Sequence, residues 1–480
     1  MKTNSGKSLR ITFYNNRRNI YPPLGICYLS AFLKTNGYRN VSLVDRHYEN
    51  NEDVVRTILR LKPDVVGVST YSVGVYDIME VSKRLKQEAP GIIILWGGPH
   101  ITSIPEVLPH YADIGIIGEG EETLLEIIEG LASSGMTLDA EWLKNIKGIS
   151  FHNGEKVTIT ERRPLLSNLD CLPFPDYSIL DTPWYTAPKR YFVMPWVYRG
   201  ITVMSSRGCP YKCVFCQASR QWEKIRFHSP EYIVNAMLEI RHTYPYINAI
   251  NIVDDIFTAD KKRLAKITRL MKEAGLDKGI SYNINGRTDI VDEEILGILK
   301  SINIVQISYG FESGSQKILS YLKKNTVSVE DNERTAEATN KHGIGVGGQF
   351  MVGTPGETRE DLLKTAYFIK KHKMSHAHLS VTTPLPGTEL WEYAKEKGLV
   401  SEDMDWRRVD FGNPDNPNLV YINDALPKNE FEKLKNMVQG LCNRYNKPDT
   451  LSEKIQIILG KRFAWRSVIK SIISRTRGRG

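Results

Sequence analysis

Short apolar runs alternate with helical patterns through most of the chain, and this rhythm limits the folds open to it. Over the first 135 residues the runs are ITFYN (11–15), VSLVD (41–45), DVVGVST (64–70), GIIILWGG (91–98) and IGIIGEG (114–120). Between them lie segments such as YDIMEVSKRLKQE (76–88), with apolar residues three and four apart. Strands that are apolar on both faces need cover on both faces, which amphipathic crossover helices supply. The pattern predicts a doubly wound, Rossmann-like α/β domain, whose ligands bind beyond the carboxyl ends of the strands.

The rhythm pauses and then restarts. Residues 148–160, GISFHNGEKVTIT, read as a hairpin turning at HNG. A connector rich in proline and aromatic residues follows, too apolar for a free linker. From 200 onward six further runs appear: GITVMSS (200–206), AINIVDD (249–255), SYNINGR (281–287), IVQISYGFES (304–313), GVGGQFMVG (345–353) and HAHLSVTTP (376–384). Six βα units predict a partial, TIM-like (β/α)6 barrel with its functional groups at the strand carboxyl ends. The expected organisation is an α/β domain over 1–147, hairpin and connector over 148–199, the barrel over 200–390, and a small, mostly helical region over 391–480.

Three of the six cysteines fall in eight positions directly after the first barrel strand, in RGCPYKCVFC: Cys209, Cys213 and Cys216. The other three, Cys27, Cys171 and Cys442, are isolated, which is not a disulfide framework. With no apolar leader in the first residues and no run of 18 apolar residues, a cytoplasmic protein is expected. In a reducing compartment a thiol cluster points to metal or catalysis. Three thiolates on one loop can hold three irons of a cubane and leave the fourth iron open. The competing reading is a structural zinc site with a fourth ligand such as His228.

RGCPYKCVFC resembles the C-x3-C-x-aromatic-C motif of radical S-adenosylmethionine (SAM) enzymes. The resemblance, which covers about 200–390, implies a [4Fe-4S] cluster held by Cys209, Cys213 and Cys216, with SAM chelating the open iron. It implies reductive cleavage of SAM to a 5′-deoxyadenosyl radical that removes a substrate hydrogen. An electron must come from a low-potential donor such as a flavodoxin or ferredoxin. The implied SAM contacts are Phe215, Asp254, Arg287, Glu312, Ser313 and Gly353. Asp254 and Asp255 end a strand where the widespread motif has Gly-Gly-Glu, and two such carboxylates equally suit a solvated strand end or a helix cap. Ser313 and Glu312 equally suit capping, Arg287 a structural salt bridge, Phe215 ordinary loop packing, and Gly353, Gly356 and Gly387 plain turns.

The preceding α/β domain, with PPLGICYLSAFL, GVSTYS, GGPH and GEGE, resembles the cobalamin-binding domain of cobalamin-dependent radical SAM enzymes. This implies that Leu24, Gly25, Ser69, Gly97, Gly98, His100, Gly118, Glu119 and Gly120 line a corrin and its nucleotide tail. For His100 a helix-start cap or surface residue is the alternative. Asp45 and His47 resemble part of the D-x-H-x-x-G cobalt-ligating motif, but Asn50 stands in place of the glycine. Members of the family usually lack this ligand, and the reading adopted is a surface histidine with the lower cobalt face open or water-bound.

The net charge of +9 is concentrated at one end: residues 461–480 carry seven Lys/Arg and no Asp/Glu. Without them 57 basic residues face 55 acidic ones, which disfavours a broad nucleic-acid-binding surface. The segment 453–473 has apolar residues at helical spacing among its basic ones, a pattern that suits either peripheral contact with an anionic membrane or docking on the barrel. The expected function is methyl transfer to an unactivated carbon of a small-molecule or lipid substrate. Alternatives are oxidative cyclisation or rearrangement with the same cofactors, tRNA modification, and non-catalytic corrinoid binding.

Overall fold

The computed structural model describes residues 8–16, 21–45, 50–187, 199–222, 224–411 and 416–446. His47 and the basic tail lie outside the described residues. The contacts divide the chain into two units, and both are discontinuous. One contains residues 8–16 and 23–180 together with Thr383–Val420. The other contains Asp181–Thr382 together with residues 421–446.

In the first unit the five expected strands are β1 (Ile11–Asn15), β2 (Val41–Asp45), β3 (Val65–Ser69), β4 (Ile93–Gly97) and β5 (Ile114–Ile116). The expected hairpin is β6 (Ile149–Asn153) and β7 (Lys156–Ile159). They form one sheet in the order β2-β1-β3-β4-β5-β6-β7. The first five strands are parallel and the hairpin extends the sheet antiparallel. Strand order reverses between β1 and β3, the kind of switch point beyond which doubly wound sheets place ligands. Ile11, Phe13, Val65, Ile93, Leu95 and Ile114 from the strands pack with Ile26, Leu33, Ile127 and Leu131 from helices Leu24–Thr35 and Glu121–Ser134.

The second unit holds a short ribbon, β9 (Ser206–Arg207) paired with β10 (Arg226–Phe227), and a six-stranded parallel sheet. The sheet strands are β8 (Gly200–Val203), β11 (Ala249–Ile252), β12 (Ser281–Gly286), β13 (Ile304–Glu312), β14 (Gly345–Val352) and β15 (His376–Val381). They lie side by side in chain order, so the unit is a half-barrel with β8 and β15 as its edges. Alternation sorts the side chains onto two faces. Tyr309, Phe311 and Phe350 face the covering helices, Phe311 and Phe350 meeting Phe368 and the Tyr309 hydroxyl meeting Thr339. The opposite, inner face is polar. At one level Thr202, Asn251, Asn283 and Gln306 stand in register across four strands. Above them come Asn285 with Ser308, then Gln349 with His378. Among the described residues no helix is long and apolar enough to cross a membrane.

Candidate functional site

The cysteine loop leaves the carboxyl end of β8, where βα folds place their chemistry. Its root is clamped from below. Asp254, wholly buried just past β11, accepts from the backbone N–H of Ser205 (2.6 Å) and Ser206 (3.1 Å) and from both hydroxyls (2.5 and 2.7 Å). Arg263 Nη2 donates to the Ser205 carbonyl at 2.9 Å, and its Nε donates to the His228 carbonyl at 3.0 Å. Further along, Val214 N–H donates to the carbonyl of Leu322. None of the three cysteines is in a disulfide; Cys213 is buried and the others are half-buried. Burial pushes the Cys209 thiol up, with a smaller push from the charge of Asp255.

At the ends of the other strands the sequence-derived candidates separate into open and occupied groups. Asp254 is saturated by its four donors. Ser313 is wholly buried, shares its hydroxyl with Thr365 and accepts from Ser315 N–H, so it serves the entry to helix Gln316–Lys323. Glu312 has a left-handed backbone (φ 60°) and lies 3.3 Å from Lys323 Nζ, both nearly buried. Its carboxylate folds back over Gly310, where a Cβ would sit 2.3 Å from Oε1, so a side chain at 310 would push the carboxylate aside. Arg287 is held by Asp289 at 2.9 Å. Phe215 is half-buried in the loop. Asp255 is different: its side chain is open to solvent but sits in a concave, crowded surround, which together with Asp254 lifts its pKa to about 6. It is the carboxylate left available beside Cys209.

The first unit offers a shelf at the carboxyl ends of β3, β4 and β5. Gly97 ends β4, and its carbonyl accepts from the N–H (2.6 Å) and hydroxyl (2.8 Å) of Thr70. Gly98 has φ 100°, and a Cβ there would lie 2.7 Å from the Thr70 carbonyl oxygen. Gly118 N–H donates to Thr102 Oγ1 (3.1 Å), while the space beside its Cα, like that beside Gly25, is empty. Ser69 and Leu24 are half-buried. Gly120 packs on Leu29, and Glu119 accepts from Leu166 N–H. His100 is buried, its Nδ1 3.0 Å from Ser72 Oγ and its ring edge-on to Trp406. Burial lowers its pKa to about 4, so the ring is neutral at neutral pH.

Residues 203–369 match the radical SAM superfamily, and residues 12–128 match the B12 binding domain. An uncharacterized methyltransferase of Pyrococcus horikoshii is 33% identical over 81% of this chain and 81% of its own length. The chain belongs to the cobalamin-dependent radical SAM enzymes. An anaerobic magnesium-protoporphyrin IX monomethyl ester cyclase of Rubrivivax gelatinosus is 29% identical, covering 85% of this chain and 71% of that protein. Among solved structures, the radical SAM methyltransferase TsrM of Kitasatospora setae shares the fold at a TM-score of 0.63 and 18% identity. That likeness covers 82% of this chain and 79% of TsrM. The cobalamin-dependent radical enzyme OxsB shares it at 0.67 and 18%, over 91% of this chain and 66% of OxsB.

As a member of this family the protein uses a [4Fe-4S] cluster, SAM and cobalamin, and the zinc reading of the thiols falls away. The residues present suit these groups. No three of His, Cys, Asp and Glu converge on a single ion among the described residues. A cubane asks for no such convergence, since each thiolate binds a different iron. His228 is buried and stacked on Tyr232, with its carbonyl tied to Arg263. The glycine shelf offers empty space at Gly25 and Gly118, which a large planar group needs.

Two groups of residues in this radical SAM enzyme escaped the sequence reading. Thr70 and Thr102 latch the ends of β3, β4 and β5 together, but a lone threonine carries no signal in a sequence. Glu357 lies in GTPGET, and only the glycines of that segment drew notice. It is fully buried and accepts from Gly353 N–H (2.6 Å) and Thr354 N–H (3.1 Å). Burial outweighs these donors and raises its pKa to about 8. The sign of the linkage follows: the folded protein binds this proton more tightly than the unfolded chain. The resulting stability is full below about 4.5 and is lost as pH rises through about 8. Glu357→Gln is expected to remove that loss, roughly 5 kcal/mol at most by the shift. Denaturant melts of wild type and variant across this range check it. Parallel curves would show that Glu357 does not titrate there.

Proposed function

We propose that this enzyme transfers a methyl group to an unactivated carbon of a small polar molecule. The observation that carries the reading is the three-thiol loop, rooted in the Asp254–Arg263 clamp at the mouth of a half-barrel with a polar interior. When bound, the cluster with SAM supplies hydrogen-atom abstraction, and cobalamin supplies a transferable methyl group. The chain's own residues supply position. Cys209, Cys213 and Cys216 hold the iron. Asp255, open and beside Cys209, is placed to accept a hydrogen bond from an ammonium group such as that of SAM. Glu312 ends β13 and Gly353 follows β14. Leu24, Gly25, Ser69, Gly97, Gly98, Gly118, Glu119 and Gly120 form the corrin shelf, while His100 is engaged by Ser72 and Trp406.

The P. horikoshii relative and the cytidylyl-2-hydroxyethylphosphonate methyltransferase of Streptomyces wedmorensis, 26% identical over 81% of this chain, support methylation. The register of Asn251, Asn283, Gln306, Gln349 and His378 on the inner face supports a hydrogen-bonding substrate rather than a lipid. The cyclase relative favours a second reading, ring closure with the same cofactors. Cell extract incubated anaerobically with enzyme and methyl-labelled SAM separates them. Methylation predicts a polar product heavier by one labelled methylene unit. A product lighter by hydrogens and without label rejects methylation.

A further inference from the structure

The guanidinium of Arg287 is enclosed, at 7% exposure, and each of its edges has a partner. Nε and Nη2 meet the two carboxylate oxygens of Asp289 at 2.9 and 3.3 Å. Nη2 also donates to Thr326 Oγ1 at 2.9 Å. The ring of Tyr211, itself part of the cysteine loop, covers one face with its centroid 3.4 Å away. The Tyr211 hydroxyl returns a bond to Asp289 at 3.2 Å. The remaining nitrogen, Nη1, lies 3.9 Å from Cys213 Sγ.

A cation clasped in this way is not free to swing toward a ligand carboxylate. We propose that Arg287 sets the reduction potential of the cluster by holding a fixed positive charge against the Cys213 thiolate. The proposal rests on Cys213 being a cluster ligand. One-electron reduction makes the cluster more negative, and a cation or N–H directed at a ligand sulfur stabilises that more negative state. Asp289 offsets part of the charge, but it binds Nε and Nη2 and leaves Nη1 toward the sulfur. The ion pair therefore presents its positive end to the cluster. Its planar fork and stacked face are features that lysine does not reproduce. By gripping Tyr211 and Thr326 together, Arg287 also keeps this distance constant.

The test is a redox titration of the anaerobically reconstituted protein, followed by the electron paramagnetic resonance signal of the reduced cluster, without SAM or substrate. Iron per chain is measured in parallel. Arg287→Met is expected to keep its iron and to lower the potential. At fixed solution potential the reduced-to-oxidised ratio should drop about tenfold, equal to about 59 mV for one electron. Arg287→Lys should recover part of this. Asp289→Asn should move the potential the opposite way, upward. Because Arg287→Met leaves Asp289 without its cation, the double variant with Asp289→Asn serves as the control for folding, and its potential should lie below that of Asp289→Asn alone. Equal potentials in those two proteins, or loss of the cluster from both Arg287 variants and the double variant, would overturn the proposal. A full cluster in Cys213→Ala would instead sink the ligand reading on which it rests.

Discussion

Replacing Cys209, Cys213 or Cys216 by alanine is expected to abolish reductive cleavage of SAM, with a loss of at least about a hundredfold, larger than second-shell changes at metal sites produce. Iron should fall from about four per chain to near zero, since two thiolates rarely retain a cubane. The fold should survive. The thiols lie on a loop whose root is tied to Asp254 and Arg263, and the helix packing of Tyr309, Phe311 and Phe350 does not involve them. Cobalamin binding, assigned to the other unit, should be unchanged. Replacing Cys27, Cys171 or Cys442 should leave iron at the wild-type level. Iron counting, corrinoid absorbance and product chromatography on the six variants check these outcomes. Retained iron in any of the three loop variants would remove that cysteine from the site.

Asp254→Ala is the second large effect expected. The substitution orphans two backbone N–H groups and leaves buried Arg263 without its neighbouring carboxylate. Breaking a buried charged network of this kind costs about 3–5 kcal/mol. The variant should melt early in denaturant and hold iron poorly, because the root of the loop is no longer fixed. Asp254→Asn keeps an acceptor for the two N–H groups and should lose less than half as much. Asp255→Asn should behave in the opposite way, with wild-type stability and normal iron but weaker SAM binding. Chemical denaturation beside iron counts and SAM titration distinguishes the two carboxylates. If Asp254→Ala were as stable as wild type, the clamp would have no energetic content.

The difference between these neighbours explains what the sequence made legible. The sheets announced themselves because buried strands are apolar and the helices between them are periodic. All eleven expected strands and the hairpin are present. The cysteines and glycines were visible as spacing, which survives in one dimension. What a side chain bonds to is not visible. Asp254 and Asp255 are indistinguishable in VDD, yet one turns inward onto Ser205 and Ser206 while the other faces outward. Ser313 and Arg287 read as ligand contacts by resemblance, but Thr365, Asp289 and Tyr211 come from 52, two and 76 positions away and occupy them. The order of contacts also escaped detection. Thr383–Val420 packs with the first unit through Trp391, Trp406 and His100, although it follows the barrel in the chain.

The central claim is that three cysteines hold a four-iron cluster and leave one iron for SAM. Mössbauer spectroscopy of protein reconstituted with the iron-57 isotope, recorded with and without SAM, tests it most directly. The account predicts that one iron site changes its isomer shift when SAM is added and that the other three do not. Four irons all indifferent to SAM, or a reconstituted protein that holds no cubane, would contradict it.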